Sequence, residues 1–161
     1  GEKPVNRASS TADLAVSANI PESYVASTEQ RMDLYRRIAL IRTEADADDV
    51  LDELIDRFGE PPDAVTALVR VALLRGEAGR AGTDISQKAG ALRFTLDSFD
   101  MARVSELYAR PEYRGRLRVE AGSVPRISLK LPPKARVLDE ASRFAAAWAS
   151  TDISSKEDQG G

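Results

Sequence analysis

The chain has no cysteine and no histidine among its 161 residues. Without cysteine there can be no disulfide, thiolate nucleophile, zinc–thiolate site or iron–sulfur cluster. Without histidine it lacks the commonest general base and the commonest transition-metal ligand. Aromatic residues are scarce, at 6%. No apolar run approaches the roughly 18 residues that a membrane-crossing helix needs. No hydrophobic segment follows Gly1-Glu2-Lys3-Pro4, so a secretory signal is not expected and the cytoplasm is the expected compartment. The start is not a methionine, which suits either processing or a segment of a longer protein. The net charge of −3 and pI of about 5.2 give no global attraction to nucleic acid or anionic membranes. Carboxylates, lysine, serine, threonine and tyrosine remain for chemistry. This balance points to a binding or regulatory module rather than an enzyme.

Hydrophobic residues make up 42% of the chain. A chain of this length buries roughly 70% of its unfolded surface, enough for one domain with a real core. Residues 1–11 and 150–161 are polar and poor in apolar side chains, and are expected to be disordered tails flanking a domain over 12–149.

Periodicity then predicts the elements. Ser27 followed by Gln30 resembles a capping box, opening a helix with Met32, Tyr35, Ile38 and Ala39 as its stripe. Thr43 caps a second helix that runs to Phe58 and stops at Gly59. Pro61-Pro62-Asp63 starts a third helix, apolar nearly all round from Ala64 to Leu74 and so expected at the centre of the core. The period next changes to two. Asp84-Ile85-Ser86 and Leu92, Phe94 and Leu96 suggest two strands joined at Lys88-Ala89-Gly90. A fourth helix is expected from Asp97 or Ser98 to Pro111, carrying Met101, Val104, Leu107 and Tyr108. Leu117 and Val119, then Ile127, Leu129 and Leu131, alternate with charged and polar residues as a β-hairpin does. Pro132-Pro133 opens a last helix, with Leu138, Ala141, Ala145 and Trp148 inward. The fold class is α+β: an N-terminal helical half followed by a small antiparallel sheet with flanking helices.

Familiar catalytic patterns fail one after another. Gly76, Gly79 and Gly82 are spaced like a glycine-rich loop, but no G-x-x-x-x-G-K-[ST] follows a strand, so they read as helix-ending glycines. An EF-hand loop begun at Asp46 would need glycine sixth and glutamate twelfth, where Leu51 and Arg57 stand. No serine has a histidine to activate it. Nothing near Ser86 and Lys88, or Ser128 and Lys130, distinguishes a Ser–Lys pair from exposed alternating strand residues.

Two charged surfaces stand out instead. On the second helix Val50, Leu51, Leu54, Ile55 and Phe58 cover an arc of about 140°. Asp46, Asp49, Asp52, Glu53, Asp56 and Arg57 occupy the opposite side. Residues 44–63 hold nine acidic side chains against one arginine, a local net of −8. That face is either simply solvated or a docking face for a basic partner. Residues 103–136 hold nine basic side chains against three glutamates, a local net of +6. Arg116, Arg118, Arg126 and Lys130 are expected on one outer face of the hairpin, again either solvated or a nucleic-acid-binding surface. Only Tyr113 lies nearby for base stacking.

The segments Ile20-Pro21-Glu22-Ser23-Tyr24-Val25, Arg31 with Tyr35-Arg36-Arg37-Ile38, and Glu53-Leu54-Ile55-Asp56-Arg57-Phe58-Gly59 with Pro62 carry a combined resemblance. In order and spacing they resemble the C-terminal domain of bacterial transcription-repair coupling factors, the Mfd family. The match is firm over about residues 20–80; beyond, only the pattern of elements fits. Asp13-Leu14-Ala15-Val16-Ser17-Ala18-Asn19-Ile20-Pro21 departs from the family's usual lead-in strand, lacking its first proline and second acid. The resemblance implies a parent that is an ATP- and magnesium-dependent DNA translocase, which displaces RNA polymerase stalled at lesions and recruits the excision-repair protein UvrA. No cofactor is implied for the C-terminal domain itself. It also implies that this domain is non-catalytic, packs on the parent's UvrB-like module and masks the UvrA-binding surface. The family's contact positions for that clamp correspond here to Glu53, Asp56 and Arg57.

Overall fold

The computed structural model describes residues 10–120 and 122–160, with side chains described through Thr151. In chain order it comprises β1 (Ala12–Asp13), α1 (Thr28–Ala39), α2 (Glu44–Phe58), α3 (Asp63–Ala81), β2 (Thr83–Lys88) and β3 (Ala91–Leu96). There follow α4 (Met101–Tyr108), a 3₁₀ turn at Pro111–Tyr113, β4 (Leu117–Glu120), β5 (Arg126–Lys130) and α5 (Val137–Gly160). The architecture is the expected α+β, helices first and sheet second. Most of the expected tail over 1–11 lies outside the described residues. Ser10 and Thr11, however, are tied down: the Ser10 hydroxyl donates to the Thr83 carbonyl, and Thr11 NH to Asp84 Oδ1 at 2.9 Å. At the other end α5 continues to Gly160, past the boundary drawn at 149.

Two apolar clusters hold the fold together, and α3 belongs to both. Its first turns place Val65, Val69 and Ala72 among Leu34, Ile38, Ile41, Val50 and Leu54 of the helical half. Its later turns place Leu74 and Ala78 among Leu92, Phe94, Ile127, Leu129, Phe144 and Trp148 of the sheet half. The helix is central because its sequence is apolar all round, so every face can be buried. Gly76 permits a close approach of α3 to the backbone at Arg42. A Cβ there would stand 2.8 Å from the Arg42 carbonyl oxygen, inside van der Waals contact. Gly76 and Gly79 therefore sit within α3 rather than ending it; Gly82, in the left-handed conformation at φ 73°, is the stop.

The sheet runs in the order β1-β2-β3-β5-β4. Its four later strands are antiparallel, as expected. The short β1 is an addition, pairing parallel with β2 through Ala12 opposite Ile85 and Asp13 opposite Ser86. Alternation sends Ile85, Leu92, Phe94, Leu96, Ile127 and Leu129 inward to full or near-full burial. Phe144 of α5 stacks on Phe94 with ring centroids 4.1 Å apart.

One buried stripe and two boundaries differ from those expected. On α1 the buried positions are Leu34 and Ile38, whereas Met32 is half exposed. α4 begins at Met101, because Asp100 rather than Asp97 or Ser98 accepts from the helix's first amides through Ala102 NH at 2.9 Å. α5 begins at Val137, five residues after Pro132, since Lys134 turns through φ 64° before the helix starts.

Candidate functional site: the outer face of α2

α2 is fixed at both ends. At its start Thr43 Oγ1 accepts from Asp46 NH at 3.1 Å, and the Asp46 carboxylate accepts in return from the Thr43 and Arg42 amides at 3.1 and 2.9 Å. Those bonds, the one from Arg42 foremost, hold the Asp46 carboxyl below its ordinary pKa. Asp46 thus serves the cap and is withdrawn from the face that its wheel position suggested. At the other end Gly59 caps the helix with φ 86°. The Tyr24 hydroxyl donates to the Gly59 carbonyl at 2.7 Å, and its ring lies 5.8 Å from that of Phe58. Val50 and Leu54 are buried beneath.

With both ends held, the outward side chains keep a defined pattern. Glu53 lies between two arginines. Its carboxylate accepts from Arg37 of α1 and from Arg57 one turn on at 2.9 Å. The same two bonds, Arg37 first, keep the Glu53 carboxyl ionised below its usual range, and the bond to Glu53 raises Arg37 in turn. The Arg57 guanidinium also lies 4.9 Å from the centre of the Phe58 ring. Asp48, Asp49, Asp52 and Asp56 are exposed. Among the described residues none pairs with these four carboxylates. Asp48, Asp52 and Asp56 recur every fourth residue and so line one edge of the helix. Ile55, 43% exposed, lies against that edge.

The structure brings the three sequence-derived positions together on this face, in different states. Glu53 and Arg57 are bonded to one another, whereas Asp56 is uncompensated. Arg37 is a participant that sequence reasoning missed. It belongs to another helix, sixteen residues away, and no periodicity within α2 reports it.

The basic candidates also share a sheet face, with one qualification. Arg118 stands opposite Ser128, Arg126 opposite Glu120, and Lys130 at the exposed end of β5. The Arg116 guanidinium is already committed to the carbonyls of Lys130 and Glu112 and to the Glu140 carboxylate, each at 2.9 Å. Arg103, counted from sequence in the same basic stretch, is buried: it spans the Trp148 ring at 3.8 Å and donates to Thr151 Oγ1 and the Trp148 carbonyl. Among the described residues no group of three metal-ligating side chains occurs, and no helix is long and apolar enough to cross a membrane.

Comparison with known proteins decides what kind of domain carries this face. The model of the TRCF domain family matches residues 14–107. This chain belongs to the TRCF domain family. The match takes in α1 to α4 and extends beyond the 20–80 stretch in which the sequence motifs are clear. It includes all but the first residue of the divergent segment from Asp13 to Pro21. Transcription-repair-coupling factor of Mycobacterium bovis is 32% identical over 119 residues, covering 71% of this chain and 10% of that protein. The factors of Bacillus subtilis and Escherichia coli are each 32% identical, over 93 and 85 residues, covering 57% and 51% of this chain. The chain therefore spans about a tenth or less of the curated relatives it matches, 8% and 7% of the latter two. Its fold matches a crystal structure of the C-terminal domain of a transcription-repair coupling factor, with a TM-score of 0.78 at 18% identity over 92% of this chain and 98% of that one.

Proposed function

We propose that this TRCF domain is the non-catalytic regulatory C-terminal domain of an Mfd-type factor. Residues 12–149 form its working unit, and α2 docks reversibly on the UvrB-like module of the same parent. Docking masks the surface that recruits UvrA. Opening, when the parent engages stalled RNA polymerase and DNA in the cytoplasm, is a shift between two populated states. The ATP-driven translocation belongs to the parent's other domains.

The observation that carries this reading is the uncompensated aspartate edge of α2 beside the Arg37–Glu53–Arg57 cluster. Helix faces that are merely solvated commonly pair their charges at i,i+4 spacing, and Glu53 with Arg57 does so. Asp48, Asp52 and Asp56 instead repel one another at that spacing. Such an arrangement costs little in water and is relieved by a basic partner surface. Asp56 is then a direct contact. Glu53 acts by holding Arg57 and Arg37 in place, and Arg57 presents its remaining donors beside the Phe58 ring.

The test is binding in trans. The 161-residue chain is titrated with the separately produced UvrB-like module at rising salt. Binding is expected to weaken steeply with salt, because exposed charges are screened beyond about 8–10 Å at physiological ionic strength. Asp52→Asn with Asp56→Asn is expected to abolish most of that salt dependence. Binding that is indifferent to salt and to the two substitutions would remove the assignment.

A further inference from the structure

The second surface is the open face of the sheet, and the pairing register fixes its composition. One row across the strands holds Lys88, Ala91 and Lys130. The next holds Ser86, Arg93, Ser128 and Arg118. Neighbouring strands lie about 4.8 Å apart and alternate residues about 7 Å along a strand. Lys88 and Lys130, and likewise Arg93 and Arg118, are thus about 10 Å apart, in rows about 7 Å apart. The acid in these rows is Asp13 of β1, which stands opposite Ser86 at the edge away from Arg118. Glu120, from the row beyond, reaches Arg93 only at 3.6 Å and takes the Ser128 hydroxyl at 3.3 Å. Between the cations runs a shallow trough of ≈ 460 Å³, which Glu120 also lines. The Arg93 Nε in that trough is buried and has no acceptor.

We propose that this trough binds the phosphodiester backbone of duplex DNA, without regard to sequence. The chemistry of the face selects this occupant. Its floor is alanine and serine, and Leu117, the large apolar residue in its lining, is buried, so the face presents charge rather than an apolar or aromatic anchor. It carries no aromatic ring either, which sets aside single strands, bound largely by base stacking. What it offers is three exposed cations, Lys88, Arg118 and Lys130, over a floor of small residues. Rows about 7 Å apart suit successive phosphates of one strand. The proposal is independent of the clamp reading, since no residue of α2 takes part.

The experiment is fluorescence anisotropy of a labelled duplex of about 20 base pairs with the 161-residue chain, from about 30 to about 150 mM salt. Lys88, Arg118 and Lys130 are exposed and free of ion pairs among the described residues, so the log–log salt slope is expected near −3, about 0.9 per phosphate contact. Arg118→Gln with Lys130→Gln is expected to lower that slope by about 2 and weaken binding at low salt at least tenfold, by ~1.4 kcal/mol or more. Arg118→Lys with Lys130→Arg keeps the charges and is expected to bind as the parent chain does. Arg136→Gln with Arg143→Gln removes the same charge from exposed sites off this face and is expected to leave the slope unchanged. Equal losses in both glutamine pairs, tighter binding to a single strand, or a soluble polyglutamate bound where the duplex is not, would each overturn the proposal.

Discussion

The helical and sheet halves carry opposite charge, and they treat it differently. On α2 the arginines within reach, Arg37 and Arg57, both serve Glu53, and among the described residues Asp48, Asp49, Asp52 and Asp56 are left without partners. On the sheet half two of the basic side chains are drawn into the structure. Arg103 is buried over Trp148, and Arg116 ties the start of β4 to α5 through Glu140. The net charge of −3 therefore conceals two separate surfaces of opposite sign, one partly paired by neighbouring arginines and the other thinned by arginines drawn into the fold. Charge counted along a stretch of sequence overstates the surface wherever an arginine is structural. It understates the surface where carboxylates are regularly spaced and unopposed.

The comparison can be broken most violently at the sheet half's core. Trp148→Ala removes a fully buried ring and the platform for Arg103, and is expected to cost about 3–5 kcal/mol, read from the midpoint of denaturant unfolding. Next comes the seam. Gly76→Ala sets a Cβ against the Arg42 carbonyl, and overpacking of that kind costs about 1–3 kcal/mol. Because α3 joins both clusters, far-UV circular dichroism and Trp148 fluorescence are expected to shift together; two separated transitions would show that the halves are independent. Thr43→Ala, which removes the α2 cap, is expected to cost about 1 kcal/mol and to act on the helical half.

A smaller lever is pH. Glu53, Asp46 and Asp139 are all held below the ordinary carboxylate range in the folded chain, Asp139 chiefly by Arg70 at 2.6 Å. A carboxyl depressed by folding stabilises fully above its unfolded pKa, about 4, and that contribution fades as pH falls through the folded value. The contribution of these three carboxyls to melting temperature is thus expected to be level from neutral pH down to about 5 and to be lost below about 4, while Glu77, held above the ordinary range by burial, works in the opposite sense. Glu53→Gln is expected to blunt that loss. Smallest of all, Asp48→Asn with Asp52→Asn is expected to change stability by no more than about 0.5 kcal/mol, and in the stabilising direction. Near-neutral stability together with lost partner binding would mark these aspartates as kept for function.

Much of this arrangement was legible in the sequence because it is local. Thr43 and Gly59 bracket α2 correctly, and the alternation around Phe94 and Leu129 assigns the inner sheet face by period alone. What escaped depends on distant partners. Gly76 reads as a helix stop until the Arg42 backbone is seen against it. Ala12 and Asp13 are too short a strand to leave a periodic trace and exist by pairing with Ile85 and Ser86. At the site, the acidic side of α2 was visible on a helical wheel. That Asp46 belongs to the cap and Glu53 to Arg37 required the bonds themselves.

The central claim is that α2 covers a recruitment surface in the closed parent. The direct measurement is UvrA affinity of the intact factor in the absence of RNA polymerase, with and without Glu53→Ala and Asp56→Ala, and with Arg57→Glu as an independent disruption. The account predicts that both variants bind UvrA more tightly than the unaltered factor. Equal affinity in all three, with the variants folded, would contradict it.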